Sequence, residues 1–350
     1  MTWLDLGCGG GGSSLGVKNA TSSEVIGIDI DPRQIEIYRA NIGEGIVADY
    51  SRINPAQFLG IEGLHISFPC QGHSNIRSKK LPEREDKELG LKCLKWLDLK
   101  PRIFTSENVR GFKKSLTYNA LINKLNQLGY WWQDGIIDMA DYGVPQNRVR
   151  WVLWATLNEF APVIQPWCES KVSWFEAIQD LIPDLPESTL TPQQIASINK
   201  KLPRLMAGQN LFGHEKFTTK GALEPGFCLT ASIHKAMPKL IVERQGSGAW
   251  RDNMARLDCQ PVWTITCSNC SRPTAINVVD GLEIKRLSIK AIARLQSFPD
   301  SYLWSGKTAV DGHSIGNAVP PRFMEFLIRS LTQCKPTISK TNSGLAKRAS

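Results

Sequence analysis

Pro69-Cys70-Gln71 closes the apolar run Leu64–Phe68 (LHISF). A thiol acts as a nucleophile only as a thiolate, and it does so at an open position rather than inside a packed core. A strand ending Ser67-Phe68-Pro69 supplies such a position, because proline stops the ladder and presents Cys70 at the carboxyl edge of a sheet. Ser106-Glu107-Asn108-Val109 follows another apolar run and brings a carboxyl group, Glu107, to the same edge. Tyr142-Gly-Val-Pro-Gln146-Asn-Arg148-Val-Arg150 leads into a further strand, where the two-residue repeat predicts Gln146, Arg148 and Arg150 on one face. Three polar side chains on one face of a central strand are unusual for structure alone. A lone cysteine more often acts as a small hydrophobe, so the chemistry depends on the elements that hold these groups together.

Those elements read as parallel β/α units, since strand-like runs alternate with helical patterns through residue 155. The spacing predicts strands at Trp3–Leu6, Val25–Ile30, Gly45–Ala48, Leu64–Phe68, Arg102–Ser106, Trp131–Asp138 and Arg150–Ala155. Helices are predicted at Ser14–Asn19, Pro32–Asn41, Leu89–Leu99 and Thr117–Leu128, the last capped by Gly129. The first strand runs into Gly7-Cys8-Gly9-Gly10-Gly11-Gly12, which lets backbone approach a ligand at a helix amino end. Gly7-x-Gly9-x-x-Gly12 also fits a dinucleotide fingerprint, so a nicotinamide-binding dehydrogenase shares this feature. The second strand ends Asp29-Ile30-Asp31-Pro32: Asp29 suits two ribose hydroxyls, and Asp31 before Pro32 suits a helix N-cap. Asp49, at the end of the third strand, suits an adenine amino group or a plain turn.

The chain has 350 residues, 42% hydrophobic and 21% charged, which is ordinary for a globular protein with room for two domains. No apolar run is long enough to span a bilayer and no leader pattern opens the chain, so a cytoplasmic setting without membrane contact is expected. Nine cysteines at irregular spacing point to reduced thiols. Cys267-Ser-Asn-Cys270 lacks the second ligand pair that structural zinc requires, so no metal is expected. A net charge of +9 favours a polyanionic partner, nucleic acid first. The polar, basic tail 335–350 reads as disordered.

The strings DLGCGGGGSSLG (Asp5–Gly16), PCQGHS (Pro69–Ser74), ENV (Glu107–Val109), QNRVR (Gln146–Arg150), RLQSFP (Arg294–Pro299) and GNAVP (Gly316–Pro320) occur in one order along the chain. In these strings the sequence resembles the cytosine-C5 DNA methyltransferase family, over nearly all of residues 3–155 and 284–330. The resemblance implies an α/β fold: a Rossmann-like class I methyltransferase doubly wound sheet with a smaller, mainly β/irregular target-recognition domain. It implies a catalytic domain from 1–160 plus 310–334 and a recognition domain, with a hinge helix, from 161–309. The implied cofactor is S-adenosyl-L-methionine, held by Leu6, Gly9, Gly11, Asp29, Ile30, Asp49, Tyr50, Pro69, Asn317 and Ala318. Two departures stand out: Gly7 replaces a phenylalanine usual beside the cofactor, and Ala291 replaces a common glutamate.

By the same resemblance, Cys70 is the thiolate that adds to C6 of cytosine. Glu107 holds N3 and the exocyclic amine, as a protonated carboxyl or through a shared proton. Arg148 anchors O2, and Arg150 positions Glu107 or the catalytic loop. The basic loop Gly72–Lys80 is expected to close over a phosphate backbone. Gln245–Arg251 is read as a loop entering the groove. The implied substrate is duplex DNA, acted on by a monomer, either alone or paired with a cognate restriction endonuclease. A tRNA cytosine methyltransferase of the same family is the nearest rival, and a catalytically silent DNA-binding homologue another. The dehydrogenase reading leaves PCQ, ENV and QNRVR unexplained.

Overall fold

A computed structural model describes residues 1–69, 89–166, 171–188, 240–244, 250–257, 260–265, 276–280 and 283–333. The first part of the chain alternates as the sequence predicts: β1 (Thr2–Leu6), α1 (Gly12–Thr21), β2 (Glu24–Asp29), α2 (Pro32–Asn41), β3 (Gly45–Val47), β4 (Gly63–Ile66) and β5 (Ile103–Asn108). There follow α3 (Leu116–Leu128), β6 (Tyr130–Asp138), the two-residue β7 (Gln146–Asn147) and β8 (Val149–Leu157). Local chemistry sets the boundaries. The Asp31 side chain accepts from Arg33 N ahead of Pro32, and Ser115 accepts from Tyr118 N. Gly129, at φ 81°, ends α3 in the left-handed conformation that glycine adopts without strain.

Seven strands form one sheet in the order β3-β2-β1-β4-β5-β8-β6. β8 runs antiparallel to both its neighbours, so the sheet is mixed rather than wholly parallel. Strand order reverses between β1 and β4, which opens a crevice at their carboxyl ends, the usual ligand position in such sheets. Alternation along β1 sends Trp3 to one face and Leu4 and Leu6 to the other. One face buries Tyr38, Phe323 and Leu327, and the opposite face buries Trp96, Phe112 and Leu121.

The later segments add α4 (Trp174–Ile178), β9 (Leu240–Arg244), β10 (Trp250–Leu257), β11 (Val262–Trp263), β12 (Ile276–Asp280) and β13 (Glu283–Arg286). Helices α5 (Ile289–Leu295), α6 (Thr308–Asn317) and α7 (Pro321–Gln333) complete the described chain. β10-β9-β12-β13 make a second, antiparallel sheet, and β11 lies parallel to β7.

Four expectations change. β4 ends at Ile66, two residues before the expected end, and β5 extends through Glu107 to Asn108, so Glu107 stands within a strand rather than after it. Trp250 and Arg251 begin strand β10. Residues 89–99 divide into a short α-turn and a 3-10 helix, Leu94–Leu99. The loops 70–80 and 245–249, the pair Cys267 and Cys270, and the tail 335–350 lie outside the described residues.

Candidate active site

The strand end leading to Cys70 is fastened from both sides. Ser67 N donates to Leu6 O at 2.9 Å, and Asn108 Nδ2 donates to Phe68 O at 2.9 Å. The Phe68 ring stacks on Phe112 with centroids 5.6 Å apart, and Phe112 in turn meets Trp151 at 4.9 Å. Cys70 itself lies outside the described residues, one peptide bond beyond Pro69. The two described cysteines make poor nucleophiles. Burial pushes the Cys8 thiol well up, and burial pushes Cys93 up to about 12.

Glu107 is 9% exposed at the carboxyl end of β5, and its Oε1 lies 3.0 Å from Arg150 Nε on β8. Arg148 is placed differently. Its guanidinium is buried and donates to Ile265 O (3.1 Å) and Gly316 O (3.2 Å), so it serves packing between segments. Gln146 turns the same way: its Oε1 accepts from Ile265 N at 2.7 Å, and its Nε2 donates to Leu295 O and Gln296 Oε1. The expected single face of Gln146, Arg148 and Arg150 is therefore divided, because the ladder breaks at Arg148 between β7 and β8. Arg150 alone reaches Glu107, and the O2-anchoring role expected of Arg148 does not suit its position.

At the neighbouring crevice, the Asp29 carboxylate accepts from Gly9 N and Asp31 N, both at 2.9 Å, and burial pushes its pKa upward. Ile30 beside it is 70% exposed, a high figure for a large apolar side chain. Asp49 caps its own turn through Ser51 N (2.9 Å) and pairs with Arg52 (3.2 Å). Tyr50 lies half-buried next to it, Pro69 is half-buried, and Asn317 is exposed with its Nδ2 on His313. Ala318 packs under the glycine loop, where its carbonyl accepts from Gln296 Nε2 at 2.8 Å. Leu6 contributes scaffold, with its side chain fully buried and its carbonyl taken by Ser67.

The glycine run divides by role. A side chain at Gly11 would meet Ile42 and the Tyr302 hydroxyl, and one at Gly12 would meet Val319 O, so these glycines answer packing demands. Gly9, at φ 51°, has no atom nearer than 4.0 Å to a Cβ position and faces the open crevice. Around the loop, Asp5 Oδ1, Gln34 Oε1 and Ser314 Oγ are buried and have no hydrogen-bond partner among the described residues. Buried acceptors of this kind call for a donor. An open glycine turn, a ribose-ready carboxylate, an exposed apolar side chain and unpaired oxygens fit a nucleoside bearing a charged tail.

Asn108, Gln296, Tyr302 and Ser314 support the site, and sequence reasoning gave none of them a role. The first two sit inside the ENV and RLQSFP strings, which was the available signal. Tyr302, whose hydroxyl donates to Gly10 O, carried no such signal.

A mixed seven-stranded sheet with this crevice is a Rossmann-like α/β fold. The model of the C-5 cytosine-specific DNA methylase family matches residues 1–333, and the chain belongs to that family as a DNA (cytosine-5-)-methyltransferase. It is 33% identical to the type II methyltransferase M.NaeI of Lentzea aerocolonigenes over 337 residues, covering 92% of this chain and 72% of that one. It is 25% identical to M.NgoMIV of Neisseria gonorrhoeae, covering 95% and 97%. Among solved structures, the S. pombe Dnmt2 methyltransferase superposes with a TM-score of 0.60 at 20% identity, over 95% of this chain and 98% of that one, a likeness of fold. No helix among the described residues is long and apolar enough to cross a membrane.

Proposed function

We propose that this enzyme methylates C5 of a cytosine swung out of duplex DNA, through a transient bond between Cys70 Sγ and C6 of the base. The observation that carries this reading is the Glu107–Arg150 pair at the carboxyl end of β5, beside the Asn108–Phe68 tie that aims the chain into Cys70. C5 of cytosine is a poor nucleophile. Addition of the Cys70 thiolate to C6 turns C5 into an enamine-like carbon that can take an electrophilic methyl group. The bound S-adenosylmethionine supplies that methyl group from its sulfonium. Glu107 holds N3 and the exocyclic amine, and Arg150 steadies Glu107 and meets the charge developing at O2. Loss of the C5 proton, to a water, and departure of Cys70 complete the turnover. Extrusion of the base costs roughly a few kcal/mol, supplied by contacts that form only with the flipped base.

On the cofactor side the reading uses Gly9, Asp29, Ile30, Asp49, Tyr50, Pro69 and Asn317 around the crevice. Residues 1–160 with 310–334 form the catalytic domain and 161–309 the recognition domain. The protein works in the cytoplasm as a monomer, alone or beside a restriction endonuclease of the same specificity. Names of the relatives, type II methyltransferases, support the DNA substrate.

A duplex carrying 5-fluorocytosine in the target, incubated with enzyme and S-adenosylmethionine, should yield a covalent adduct on denaturing gels. Cys70→Ser should give no adduct and no transfer, yet still bind cofactor and DNA. Undiminished transfer by that variant removes the nucleophile assignment. Transfer of labelled methyl to tRNA and not to duplex DNA overturns the substrate.

A further inference from the structure

We propose that Arg110 and Lys114, on the 3-10 helix that follows Glu107, hold two phosphates of the DNA strand carrying the extruded cytosine. The inference rests on the duplex-DNA reading above and gives that substrate a point of attachment beside the catalytic carboxyl. β5 ends at Asn108, and the 3-10 helix Arg110–Lys114 begins directly after Val109. Three residues of chain separate Arg110 from Glu107, so their Cα atoms lie within about 11 Å of each other. A rise of about 2 Å per residue sets Lys114 roughly 8 Å further along the helix axis.

The helix is fastened to the catalytic frame through its buried residue, Phe112. That ring contacts both Phe68, two residues before Cys70, and Trp151, next to Arg150, with centroids 5.6 and 4.9 Å away. Phe112 N donates to Val109 O at 3.0 Å, and Ser115 N donates to Phe112 O at 2.9 Å. Of the helix's three cations, Lys113 is committed: its Nζ lies 3.1 Å from Asp134 Oδ2 and 5.8 Å from the centre of the Tyr118 ring. Arg110 and Lys114 are exposed and make no hydrogen bond or ion pair with the described residues. Other exposed arginines at this end of the sheet do have carboxylate partners, Arg33 with Asp31 and Arg52 with Asp49. An unpaired guanidinium breaks no ion pair to meet an anion, and its planar fork matches two phosphate oxygens; lysine adds a point charge. Phosphate contacts fix register without reading sequence, which suits a grip beside the flipped nucleotide.

Fluorescence anisotropy across a salt series tests the pair, with a short duplex cut from plasmid DNA that the wild type methylates. Each phosphate contact adds about 0.9 to the slope of log affinity against log salt. Arg110→Gln and Lys114→Gln should each flatten the slope by about 1, and the double variant by about 2. Arg110→Lys should keep the wild-type slope, because the charge remains. Both glutamine variants should also keep the wild-type urea midpoint, since neither side chain is buried. Lys100→Gln removes an exposed charge ahead of β5, at the opposite end of the strand, and should leave the slope as it is. An unchanged slope in the double variant overturns the assignment, as does equal flattening by Lys100→Gln. Absence of duplex binding by the wild-type chain would instead remove the DNA reading itself.

Discussion

Arg150 Nε stands 3.0 Å from Glu107 Oε1 across the antiparallel β5–β8 pair, with 15% and 11% of the two side chains exposed. A pair so little hydrated is both a structural tie and a charged tool. Arg150→Ala should lower single-turnover methyl transfer by about 10²–10³-fold, the scale of losing one preorganised charge donor. It should also destabilise the fold by about 2 kcal/mol, because Glu107 is left without its counter-charge; partial exposure keeps the loss below that of a fully buried pair. Rapid-quench transfer and urea unfolding measure the two effects separately. A rate unchanged within threefold contradicts the assignment.

Arg148 gives the opposite pattern. Its Nη1 donates to the carbonyls of both Ile265 and Gly316, and a lysine ammonium, one bond shorter in reach, falls short of them. Arg148→Lys should cost about 1–3 kcal/mol of stability, read as a lower urea midpoint. Arg150→Lys should leave that midpoint closer to wild type while slowing transfer more.

Gly16 of α1 faces α7, where an added Cβ would lie 2.5 Å from Met324 Cβ and 2.6 Å from Pro321 O. In the exposed middle of a helix, alanine for glycine is stabilising. Here Gly16→Ala should destabilise by about 1–3 kcal/mol through overpacking. A raised thermal midpoint would contradict the close approach of the two helices.

His65 is fully enclosed between Thr105 Oγ1 (2.9 Å) and Ser67 Oγ (3.2 Å), and burial holds its pKa below the ordinary histidine value. The folded protein therefore keeps the ring neutral while the unfolded chain protonates it. Below about pH 6.5 the unfolded state binds the extra proton, so stability falls as pH drops from there toward the folded-state pKa. Thermal midpoints measured between pH 7.5 and 5.5 should decline with acid, and His65→Gln should flatten that decline. An equal slope in both proteins excludes His65 as the source.

Much of the catalytic layer was legible because local rules and tertiary packing agree there. Asp31-Pro32 opens α2 and Gly129 closes α3 as capping chemistry requires. Strand β10 (WRDNMARL) escaped because it lacks a clean apolar alternation and opens with what looked like a turn. Arg150 meets Glu107 as expected, and Arg148 leaves the shared face for a different reason. A two-residue period assumes an unbroken strand, and the break between β7 and β8 turns the first arginine toward Ile265 and Gly316. The glycine run was ambiguous in principle. Sequence shows where side chains are missing, but not whether a ligand or another part of the chain occupies the space.

Gly12 of α1 meets Val319, Gly16 meets Met324, and Tyr302 grips Gly10, so the amino-terminal turn is completed by residues some 300 positions later. A ribosome finishes the sheet's first strand early, yet that strand's ligand loop must wait, unsupported, until nearly the whole polypeptide has emerged. Nascent chains halted before α7 should therefore acquire secondary structure without any grip on a nucleoside.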